Sequence, residues 1–131
     1  MMQLKHARLL FYVAAVFNFA AVVLLHPASG MAAMLGLSPA AGTGVFDQIA
    51  LLAIFAFGVG YWLVARNPDR NRDLVKISLG AKLGVVAIIV THFLAGSANV
   101  NLVVLVSGDL LFSLAFAYFL KARAPQAVGA H

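Results

Sequence analysis

The chain has 131 residues, of which 63% are hydrophobic and only 10% charged, with a net charge of +5 and no cysteine. Soluble domains carry roughly 25% charged residues, so the composition excludes an ordinary aqueous fold and points to lipid as the solvent. The missing cysteines remove disulfides, thiol redox chemistry and thiolate metal sites, and anionic headgroups explain the positive charge better than nucleic acid does.

The first apolar run, about 9–25, follows Lys5 and Arg8 and is long enough to span a bilayer. A basic start, an apolar stretch and Ala28-Ser29-Gly30 also fit a secretory signal with a small-x-small cleavage site. The run is long for a signal core, however, and Asn18 interrupts it, which favours a retained span. The segment from His26 to Val45 is uncharged and apolar, with Met31, Met34 and Leu35 at helical spacing. Ser29 can cap a short helix there, and Gly36 with Ser38-Pro39 can end it. Such a helix lies flat in the headgroup region or folds over the mouth of the bundle.

Further apolar runs follow at about 46–65, 77–95 and 100–120, and 124–131 is expected as a flexible cytoplasmic tail. Lys5 and Arg8, then Arg66, Arg70, Arg72 and Lys76, then Lys121 and Arg123 all fall on one side of these four runs. Only Lys82 lies inside one. Cationic residues collect on the cytoplasmic face, so both termini and the middle loop are expected in the cytoplasm of a bacterial inner-membrane protein. Tyr12, Tyr61, Trp62 and Tyr118 lie near the same helix ends, where amphipathic rings favour the interface. Uninterrupted apolar runs without alternation cannot close a strand barrel. The expected fold is therefore all-α, an integral membrane four-helix up-down bundle with a short interfacial helix in the first external loop.

Polar residues within the spans are costly unless paired, which singles out Asn18, Lys82, His92 and Asp109. Matching residues across each antiparallel hairpin sets Asp109 level with about Ile88, and His92 about 6 Å nearer the outside. Side chains lean toward their own helix N-terminus, so Asp109 and His92 converge, with Asn18 at a similar depth. These three are expected to form one hydrogen-bonded group. Lys82 leans the other way and is expected to snorkel toward the cytoplasmic interface, near Asp69 or Asp73, rather than to bridge to Asp109. Ser78, Lys82, Val85, Ile89 and His92 share one stripe of the third span, and Gly80, Gly84 and Thr91 form a small-residue face opposite.

His26 and Asp47 mark the external mouth, where Met31 and Met34 would suit a soft metal ion. Yet His26 precedes Pro27 at a helix end, and Asp47 suits the positive end of a helix dipole, so no metal site is assigned. With no cysteine and no Glu, neither thiol-quinone oxidoreductases nor small multidrug exporters fit the chain.

Phe17-Asn18-Phe19, Gly58-Val59-Gly60-Tyr61 with Asn67-Pro68-Asp69-Arg70, Gly80-Ala81-Lys82-Leu83-Gly84 and Gly108-Asp109-Leu110-Leu111-Phe112 touch all four spans. In these segments the chain resembles short four-span bacterial membrane proteins of unassigned function, comparable with the DoxX-like family. That resemblance implies a helper subunit of a quinone-linked oxidoreductase. The leading expectation is an accessory or scaffold subunit that packs through Gly80 and Gly84 against a membrane-protein partner or a second copy. A quinone or lipophilic-ligand binding component is the next reading, and a dimeric proton-coupled carrier using Asp109 the third. No residue set names a reaction, and no nucleic-acid partner is expected.

Overall fold

The computed structural model describes residues 2–34, 36 and 44–124, and among these it contains helices and turns but no strand. Four long helices carry the chain: α1 (Leu4–Leu25), α3 (Val45–Arg66), α4 (Arg72–Leu94) and α5 (Val100–Ala122), with the four-residue α2 (Met31–Met34) between the first two. All four are long and apolar enough to cross a membrane, which fits a multi-pass membrane protein. α1 starts five residues before the expected span and α4 likewise starts five residues before its own. The extra turns hold Lys5, Arg8, Arg72 and Lys76, so apolarity marks the part suited to lipid and not the helix ends.

Local chemistry ends each helix where it does. Pro27 follows the last residues of α1, and Ser29 Oγ accepts from the Met31 N–H at 3.2 Å to start α2, as the capping residue it was expected to be. Gly36 takes the left-handed φ of +75° after α2, while Leu35 and Ser38-Pro39 lie outside the described residues. Asn99 caps α5 by accepting from the Asn101 N–H at 2.7 Å. At the end of α4, Gly96 adopts φ +80°, the Ser97 N–H donates to the His92 carbonyl at 2.8 Å, and the Gly96 N–H donates to the Phe93 carbonyl at 3.0 Å. This is a Schellman closure, which needs the left-handed residue to be glycine.

The helices associate as two pairs, α1 with α3 and α4 with α5, each pair clamped in the same way. Arg8 on α1 donates to the Ala65 and Arg66 carbonyls that end α3, at 3.1 and 3.3 Å. Arg72 on α4 donates to the Leu120 and Arg123 carbonyls that end α5, at 2.9 and 2.8 Å. Each guanidinium thus meets the negative pole of a neighbouring helix and satisfies carbonyls that the helix leaves open. Arg123 then ties the pairs together, gripping Asp69 through two hydrogen bonds and donating to the Met2 carbonyl.

The core lies toward this clamped end. Phe11 stacks on Phe116 at 4.9 Å and meets the edge of Phe119 at 5.0 Å, with Tyr61 against Phe116 at 5.3 Å. Ala7, Ala14 and Ala15 let α1 approach closely beside them, and Val64, Ala65 and Val75 complete the cluster. Tyr61 was expected at the interface but is buried in this core, only 1% exposed. Trp62 is exposed instead, with the Arg66 guanidinium over its ring.

Candidate functional site

Beyond the aromatic core, on the side of the α1–α2 loop, the two pairs border a half-open cavity of about 340 Å³. α1 contributes Phe17, Asn18, Ala21 and Leu25, and α3 contributes Ala50, Ala53, Ile54, Phe57 and Tyr61. α4 supplies Ala81, Lys82, Val85 and Ile89, and α5 supplies Leu102, Leu105, Val106 and Asp109. Small alanines on three helices leave the space that larger side chains fill at the clamped end. Lys82 and Asp109 are the charged residues of this lining.

Lys82 does not snorkel to the interface. It is buried, 5% exposed, and its Nζ donates to Asp109 Oδ1 at 2.5 Å. Asp69 and Asp73, the expected destinations, are engaged by Arg123 and Lys76 instead. The lean of a Cα–Cβ bond sets only the first step of a side chain, and a four-carbon stem can turn against it. What draws the ammonium inward is a better environment. A carboxylate lies on one side, and the rings of Tyr61, Phe17 and Phe112 lie with centroids 5.3, 5.5 and 5.5 Å from Nζ. Each ring face presents negative electrostatic potential to a cation, and this counts for more where water is excluded.

Two glycines make that arrangement possible. A Cβ on Gly108 would lie 2.8 Å from the Phe17 ring, so the absent side chain is what admits the ring over Lys82. A Cβ on Gly58 would lie 2.7 Å from the Phe19 ring and 3.3 Å from Asn18 Cβ, so this glycine seats the first helix against the third. Asn18, 6% exposed, donates from Nδ2 to the Ile54 carbonyl at 3.0 Å and lines the cavity beside the ion pair. Ser78, one turn below Lys82, is fully buried and bonds back to the Leu74 carbonyl at 2.8 Å.

The expected triad of Asn18, His92 and Asp109 does not assemble. Asn18 and Asp109 share the cavity, but His92 is exposed at the far end of α4 and its Nδ1 pairs with Ser97 Oγ at 3.0 Å. Its carbonyl already closes the Schellman turn, so His92 is a member of the α4–α5 corner. Of the expected interior stripe, Ser78 and Lys82 are buried, while Val85, itself exposed, and Ile89 border the cavity and His92 lies outside it. Level depth does not bring the ring inward there, because it is exposed and bonded within its own corner.

At the loop end, His26 Nδ1 accepts from the Ala28 N–H at 3.1 Å, within its own turn, and Asp47 occupies the first turn of α3. Among the described residues, His and Asp side chains form no group of three suited to holding a metal ion. Gly80 and Gly84 face outward, and a Cβ on either would meet nothing within 4 Å.

Sequence reasoning missed the three rings around Lys82. Their signal was present: Phe17, Tyr61, Lys82 and Phe112 each belong to one of the four short segments that carried the family resemblance, and these segments converge here. Compared with protein-family models, with curated proteins and with solved structures, the chain matches none.

Proposed function

We propose that this chain is a multi-pass protein of the bacterial inner membrane that binds a lipophilic molecule between its two helix pairs. The four helices form an up-and-down bundle with the clamped end and both termini in the cytoplasm. Eight of nine Lys and Arg residues support that orientation, since they fall at that end. One observation carries the binding reading: an apolar cavity of about 340 Å³ with a partly buried ion pair at one edge. Ligand sites are typically concave, mostly apolar and about 300 to 1,000 Å³, with a few polar groups that fix orientation. Membrane bundles ordinarily fill such space with side chains, and the alanines at positions 21, 50, 53 and 81 keep it open. A quinone-class or other lipid-like head fits the chemistry, its tail leaving toward the surrounding lipid.

The test is native mass spectrometry of protein purified in mild detergent. The protein should carry a reproducible lipophilic adduct that Ala53→Phe, which fills the cavity, removes without loss of folding. A bare protein, or an adduct indifferent to Ala53→Phe, would overturn the reading.

A second reading rests on α4. Gly80 and Gly84 leave open space beside the helix backbone, and small residues of this kind allow close helix approach in membranes. An accessory subunit would present this face to a partner helix. Gly80→Leu and Gly84→Leu should then abolish copurification of that partner while leaving the cavity adduct in place.

A further inference from the structure

The composition of the cavity wall narrows the ligand further, given the binding reading above. We infer that the Lys82–Asp109 pair makes the cavity selective for electroneutral lipophiles ending in a carbonyl-type acceptor, and that it rejects carboxylate and ammonium amphiphiles.

The two charged residues of the lining cancel, Nζ to Oδ1 at 2.5 Å, and the rest of the wall is apolar apart from Asn18 and Tyr61. A carboxylate head drawn to Lys82 meets the Asp109 carboxylate in the same shell, and an ammonium head drawn to Asp109 meets Lys82. Attraction and repulsion largely cancel, while either ion must still give up its hydration to enter. A neutral carbonyl oxygen escapes this cost and still finds donors. An ammonium has three N–H groups, and Lys82 directs one to Asp109. Asn18 commits one N–H to the Ile54 carbonyl and retains another. The size is that of about eleven waters at roughly 30 Å³ each, so a head and short chain of about a dozen heavy atoms matches it.

The experiment competes three probes of equal chain length, 2-dodecanone, dodecanoate and dodecylammonium, on the full-length protein in non-ionic detergent. Adducts are counted by native mass spectrometry and thermal shifts are recorded alongside. The wild type should retain the ketone at least about tenfold better than either ion. Asp109→Asn leaves Lys82 unbalanced and should reverse the order toward dodecanoate. The double variant Lys82→Met/Asp109→Leu removes both charges together and should lose most of the ketone. Wild-type protein that takes dodecanoate or dodecylammonium as well as the ketone overturns charge selectivity but leaves the cavity as a lipophile site. Wild-type protein that takes none of the three, while Ala53→Phe changes nothing, overturns the binding reading as well. The wild-type arms decide the question even if Asp109→Asn fails to fold.

Discussion

The clamped end and the hollow end of the molecule are built from the same helices with opposite packing. At the first, Phe11, Phe116, Phe119 and Tyr61 interlock, and arginines cover the exposed carbonyls of two helices. At the second, alanines face one another across open space, and the partly buried Lys82–Asp109 pair marks the boundary. Without a hydrophobic driving force between helices in lipid, packing and polar contacts hold them together. The contrast therefore teaches that the clamped end holds the fold while the hollow end can be specialised for a ligand.

The most severe test of that division is Lys82→Met. It leaves the partly buried Asp109 without its partner and should cost up to about 3 kcal/mol in reversible unfolding from mixed micelles. Lys82→Met/Asp109→Leu should recover most of that loss. Equal losses in the single and double variants would show that the pair supports the fold beyond its own neutrality. Phe11→Ala at the clamped end should cost about 3 kcal/mol in the same assay, against under about 1 kcal/mol for Leu102→Ala, whose side chain already borders empty space. Similar costs at the two ends would erase the contrast.

Glycines sharpen it further. Gly108→Ala drives a methyl into Phe17 and Gly58→Ala one into Phe19, so each should destabilise by about 1 to 3 kcal/mol. Gly84→Ala meets open space and should be neutral or stabilising by up to about 1 kcal/mol, read as a shift in unfolding midpoint. The smallest effect is expected from Asp69→Asn, which weakens a partly exposed ion pair with Arg123 and should cost under about 1 kcal/mol. A larger loss there would make Arg123 a principal tie between the helix pairs.

Much of this architecture could be read in the sequence because lipid imposes strong rules. Four apolar runs, the second and third connections between them basic or polar, mark four long helices, and Ser29 and Gly36 were recognisable as local signals around α2. The site was less legible. Asn18, Lys82 and Asp109 could be singled out because an isolated polar residue in an apolar run is conspicuous. An aromatic ring in such a run is not, so Phe17, Tyr61 and Phe112 could not be told from ordinary packing residues. The pairing of Lys82 was misread because the direction of the Cα–Cβ bond does not fix where a four-carbon stem ends. His92 was misread because level depth was taken for a shared interior, whereas its ring turns to Ser97 at the exposed α4–α5 corner.

Gly108 has a consequence for how relatives of this chain could be recognised. Its missing side chain admits the Phe17 ring over Lys82, and Asp109 follows it immediately. A diverged chain that builds the same pair should therefore show an intramembrane Lys and, 27 positions later, an Asp preceded by Gly. Where a bulkier residue replaces that Gly, the aromatic residue matching Phe17 should have shrunk as well. This paired change would be a fingerprint readable from sequence, where overall similarity has faded.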